Sequence, residues 1–143
     1  MSYYCNCDKV VFSGSLNATQ AVTQGLPVKF SKNLSANVVY TDTSVTIKRP
    51  GLYKISVDAS ASTTASSATD VVMSLNRNGT QVANVQSTAT SASATDFVNL
   101  SFDAVVKVMP TCCPLSDNSA TFTVVNSGAS ANYSNLTITV TRV

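Results

Sequence analysis

The sequence predicts an all-β domain, a two-sheet sandwich of the jelly-roll type. Three observations carry this. Apolar residues recur with a period of two in short runs. Those runs are punctuated by turn residues. No window shows a helical period of 3.6. The length, 143 residues, suits one domain that can bury a core without staples.

The runs can be taken in chain order. Tyr53, Ile55, Val57 and Ala59 alternate with Lys54, Ser56 and Asp58. Val71, Met73 and Leu75 alternate with Val72, Ser74 and Asn76. Val98, Leu100, Phe102, Ala104, Val106 and Val108 form one long apolar face, and Phe122 and Val124 begin another. Leu136, Ile138 and Val140 alternate with Thr137, Thr139 and Thr141. Successive side chains of a strand point to opposite faces, so each apolar set belongs to one side of a sheet. Asn78-Gly79 lies between two runs and predicts a tight hairpin, because a type I′ turn needs positive φ at both central residues. Pro50-Gly51 is a turn feeding the Leu52–Ala59 strand, and Asn126-Ser127-Gly128 separates two late strands. The Ser/Thr/Ala-rich stretches 60–69 and 87–95 read as loops or exposed strand ends. The spacing gives about eight to ten strands. An immunoglobulin-type sandwich is disfavoured because the chain has no Trp.

Composition narrows the function. Net charge is +2 and charged residues make up 11% of the chain, too weak and dispersed a field for electrostatic nucleic-acid binding. Ser, Thr and Asn together form roughly a third of the residues, a surface kept soluble by hydroxyls and amides. No apolar stretch approaches the ~18 residues needed to span a bilayer, so no membrane insertion is expected. The N-terminal residues lack a basic and an apolar region of the secretory kind, which implies synthesis in a cytoplasm.

No His is present, so Ser-His-Asp, Cys-His and His-metal arrangements are impossible. The acids are seven Asp and no Glu, and none is close to another in sequence. No phosphate-cradling loop occurs. No catalytic, cofactor or metal residue is assigned, and the chain is expected not to be an enzyme. A two-Asp glycosidase assembled in space is a minor alternative. The cysteines fall in two clusters, Cys5 with Cys7 and Cys112 with Cys113. Neither has zinc-knuckle spacing, and adjacent cysteines rarely bond each other. Free thiols, disulfides between an N-terminal arm and a neighbour's loop, and a four-thiolate metal site all stay open. Six Asn-x-Ser/Thr sequons, at Asn17, Asn33, Asn78, Asn99, Asn132 and Asn135, read as accidents of composition.

The run Arg49-Pro50-Gly51-Leu52-Tyr53-Lys54-Ile55-Ser56-Val57, preceded by Thr43-Ser44-Val45-Thr46-Ile47, resembles the trimeric jelly rolls of the tumour-necrosis-factor and complement type. Val71–Val82 with its Asn78-Gly79, and the closing Leu136-Thr137-Ile138-Thr139-Val140, match later pieces of the same pattern. The resemblance covers roughly residues 28–143 and is closest to bacterial and phage members, such as exosporium glycoprotein tips and phage head-fibre or decoration proteins. Residues 1–27 carry no collagen-like repeat and no coiled-coil heptads.

The resemblance implies a tumour-necrosis-factor-like jelly roll at 28–143, with 1–27 as a short N-terminal attachment arm ordered only against a partner. It implies a homotrimer. Leu52, Val72 and Val143 fall on polar faces of their strands, and with Tyr40 and Tyr133 they are the candidate interface. The expected function is that of a structural phage protein, a head-decoration or fibre knob on the virion surface. Its partners would be itself, a capsid protein through the arm, and a host glycan or protein through the loops. A spore-surface subunit and a carbohydrate-binding module are the alternatives.

Overall fold

The computed structural model describes residues 9–110 and 118–143. Every element in it is a strand: β1 (Lys9–Leu16), β2 (Gln20–Val22), β3 (Ser31–Ser35), β4 (Val39–Tyr40), β5 (Ser44–Ile47), β6 (Gly51–Thr63), β7 (Thr69–Arg77), β8 (Thr80–Ser91), β9 (Val98–Val108), β10 (Ala120–Asn126) and β11 (Ala131–Arg142). They form two antiparallel sheets. The first runs β3-β1-β11-β6-β9, with β2 also pairing β11, and the second runs β4-β5-β10-β7-β8. Consecutive strands cross repeatedly between the sheets, as a jelly roll requires.

Period-two burial explains the layers. Tyr53, Ile55, Val57 and Ala59 of β6 and Leu136, Ile138 and Val140 of β11 are buried, and they face Val71, Met73 and Leu75 of β7 and Phe122 and Val124 of β10. The β7–β8 hairpin closes at Asn78-Gly79, with Arg77 opposite Thr80. Both turn residues have positive φ, 51° and 86°, as the dipeptide predicts. The Ser/Thr-rich stretches are more regular than expected. β6 continues to Thr63 and β8 to Ser91, and Ser62, Thr63 and Ser91 are fully buried. The Ser91 hydroxyl accepts from Thr63 N at 3.0 Å and lies 2.8 Å from the Asp96 carbonyl. These partners let a polar stretch enter the interior.

The attachment arm requires correction. Over residues 9–22 it is part of the sandwich. β1 sits between β3 and β11, pairing Phe12 with Val140 and Leu16 with Leu136, and Phe12 is wholly buried. Its regularity is hidden by a bulge between Val10 and Phe12 and by Gly14, whose missing Cβ makes room for Phe30 at 3.0 Å. Val28 and Phe30, at the start of the expected domain, are buried in the same core. Residues 1–8 lie outside the described residues.

Candidate self-association surface

The solvent face of the first sheet can be read row by row from its register. Lys54 stands opposite both Thr141 and Val105, and Thr141 stands opposite Val10. One row therefore reads Val10, Thr141, Lys54, Val105. At the sheet end, Val143 N donates to Leu52 O at 2.9 Å, and Leu52 stands opposite Lys107. In the other direction come Thr139, Ser56 and Asp103, then Thr137, Asp58 and Ser101. The face thus grades from apolar and basic at one end to hydroxyl-rich and acidic towards the other.

Leu52 (45%), Val105 (68%), Val143 (61%) and, on β1, Val10 (40%) are exposed apolar side chains of that end. Leu52 and Val143 were expected at an interface, and the register brings them together. Val105 was missed. Its signal lay in the sequence, since Asn99, Ser101, Asp103, Val105 and Lys107 form the outward set of β9 and only one is apolar.

The other three expected residues separate from this cluster. Tyr40 is exposed, but it lies on the second sheet's edge strand. Its ring is 5.7 Å from Phe12, and Lys32 Nζ stands 5.7 Å from its centroid. Val72 is half-buried beneath its own chain. A Cβ on Gly128 would lie 3.0 Å from the Val72 methyl, and Ser127 N donates to Val72 O. Tyr133 is not a surface residue at all; it is completely buried. Its hydroxyl lies 3.2 Å from both Val72 O and Asn126 Oδ1, and burial pushes the phenol well above its ordinary range. It faces the core because β11 alternates inward at Ala131 and Tyr133 before a bulge between Ser134 and Thr137. Asn135, within that bulge, has φ 53°.

The same register places Asp58 and Asp103 diagonally on neighbouring strands, a proximity that sequence distance concealed. They share a shallow open depression with Ser56, Ser101, Thr137 and Thr139. A flat sheet offers no opposing wall that would hold a sugar between two carboxylates. Among the described residues no group of three or more Cys and Asp could hold a metal. The four cysteines all lie outside the described residues.

No family model matches the chain, and no curated protein matches it. Solved structures do. Murine APRIL aligns over 94% of this chain and 98% of its own, at TM-score 0.63 and 12% identity. The globular domain of the zebrafish complement 1qA protein aligns over 94% and 97%, at TM-score 0.62 and 18% identity. The fold is the tumour-necrosis-factor and complement jelly roll. The vertex protein P5 of PRD1 also aligns, at TM-score 0.49 and 12% identity. At these identities the likeness is one of fold. The jelly roll has its apolar end patch on the five-strand face of β3, β1, β11, β6 and β9.

Proposed function

We propose that this jelly roll is a structural subunit of a phage particle, a homotrimeric head-decoration or fibre knob exposed on the virion surface. Its work is mechanical and adhesive, with no catalytic step. The observation that carries the reading is the patch formed by Leu52, Val105 and Val143 at one end of a sheet face that is otherwise polar along β11, β6 and β9. Burying such a side chain is worth roughly 1.5–3 kcal/mol, and threefold repetition multiplies the gain. Lys54 and Lys107 beside the patch, and Asp58 and Asp103 further along the same face, supply complementary charges that set the register of one copy against another. The phage setting is supported by the resemblance of the 49–57, 71–82 and 136–140 motifs to phage and bacterial members of the fold.

Two measurements test the proposal. Light scattering of the purified chain with reductant is expected to give three times the chain mass, and a monomer at micromolar concentration rejects the trimer. Labelled antibody on purified particles is expected to decorate the capsid or fibre, and particles without label reject the virion role.

A further inference from the structure

At the end of the sandwich where β1 begins its pairing with β11, the two sheets part and leave a mouth. Its rim is basic. Lys9 and Arg142 stand opposite each other on β1 and β11, and Arg49 comes from the turn before β6; all three line the opening. Its interior is apolar, walled by Val11, Val38, Ile47 and Tyr53, three of which are core residues no more than 8% exposed. Among the described residues, no Asp lines it. Three of the chain's nine cations therefore converge on one cavity of about 160 Å³.

The rim is held in place by backbone contacts. Tyr53 donates its hydroxyl to Arg49 O at 2.7 Å. Arg142 donates to Pro50 O at 3.3 Å and lies over Gly51, where a Cβ would meet its Nε at 3.2 Å. Gly51 has φ 150°, a conformation that costs a residue with a side chain far more than glycine. The Pro50-Gly51 turn thus leaves room for the guanidinium at the rim. The opposite lip, Ala36 to Val38, turns on Asn37, which has φ 58°.

We propose that this mouth binds a small organic carboxylate with a short branched or cyclic apolar body. Converging like charges repel one another unless an anion joins them, and guanidinium groups match a carboxylate's two oxygens. A bare inorganic anion would satisfy the rim and leave the apolar wall in water. A ligand that is apolar beyond its carboxylate satisfies both. A cavity of about 150 Å³ holds a six-membered ring, so the body has at most about six carbons. The carboxylate can come from a free metabolite or from a chain terminus with an aliphatic last residue.

The test is a titration of the full-length protein followed by amide chemical shifts, with 4-methylpentanoate, 4-methylpentanamide, sodium sulfate and a tripeptide ending in leucine as separate probes. The expected result is saturable movement of the Ala36, Asn37 and Val38 signals with the acid. The neutral amide should bind at least about tenfold more weakly, the scale of one charge-assisted hydrogen bond. Sulfate should also bind more weakly than the acid. Arg49→Gln and Lys9→Gln should each weaken the acid severalfold while the rest of the spectrum stays unchanged, which reports an intact fold. Stronger binding of the tripeptide than of the free acid assigns the source as a chain terminus, and the reverse order assigns a metabolite. Equal binding of acid and amide, binding of sulfate as tight as the acid, or no saturable shift at these residues overturns the proposal.

Discussion

At the residue scale, the end of the sandwich away from the basic mouth is organised by one amide. Asn126 is fully buried. Its Nδ2 donates to Val22 O at 2.9 Å and to Ala129 O at 3.0 Å, while its Oδ1 accepts from Gly128 N at 3.3 Å and faces the Tyr133 hydroxyl. It joins β2, the β10–β11 connection and β11. Removing it leaves several buried partners unsatisfied, each worth about 1–3 kcal/mol. Asn126→Ala is therefore expected to cost about 2–4 kcal/mol, read as a lower midpoint in urea unfolding. Tyr133→Phe removes one bond and should cost about 1 kcal/mol. Its effect on pH dependence is more specific. The folded-state pKa of Tyr133 is raised above its unfolded value, so the protonated phenol is what the fold accommodates. Its contribution is intact below pH ~10 and falls as pH rises beyond that, because the unfolded chain then loses the proton first. Wild-type stability should drop above pH ~10, and Tyr133→Phe should show a smaller drop. Equal slopes for the two proteins would contradict this.

At the element scale, legibility followed regularity. β6, β7, β9 and β11 could be read because strict alternation survives over most of their length, and the β7–β8 turn because Asn-Gly is a backbone requirement written in two letters. The turn yields a prediction. Gly79 has φ 86° with nothing near its missing Cβ, so Gly79→Ala meets backbone strain alone and should cost about 1 kcal/mol, measured by thermal unfolding. The place of β1 inside the sheet was not legible. A bulge and Gly14 break its period, and its partner β11 is more than a hundred residues away in the chain. Its pairing is decided by tertiary contact, which no local pattern reports. Because β1 is flanked on both sides and carries the buried Phe12, deletion of residues 1–16 should abolish the cooperative unfolding transition. An arm that merely docked would leave it intact, so circular dichroism of the truncated chain separates the two. The interface candidates show the same division. Leu52 and Val143 stood out as apolar residues on polar faces, whereas Tyr133 was misplaced because a buried polar handle is visible only with its partner, Asn126.

At the scale of the whole molecule, the asymmetry of the β3-β1-β11-β6-β9 face has a consequence for assembly. Along β11, β6 and β9 its middle rows are Thr137, Thr139, Ser56, Ser101, Asp58 and Asp103, groups that water satisfies without cost. Its end row holds Leu52 and Val143, and Val105 stands one row in, at 68% exposure. A trimer that buries this end gains from apolar area, and a variant that places a carboxylate there would have to desolvate it. Val105→Asp is the sharpest change, since the side chain is already in water in the single chain and the substitution should leave monomer stability within about 0.5 kcal/mol. The expected outcome is a shift from trimer to monomer in light scattering with the thermal transition of the isolated fold retained. Ser101→Asp, on the same strand and the same face but two rows further into the hydroxyl-rich region, should perturb the trimer less. If both substitutions leave the trimer intact, the patch is not its interface. If Ser101→Asp dissociates it while Val105→Asp does not, the subunits meet through the polar rows, and hydrogen bonding takes the place assigned here to apolar burial.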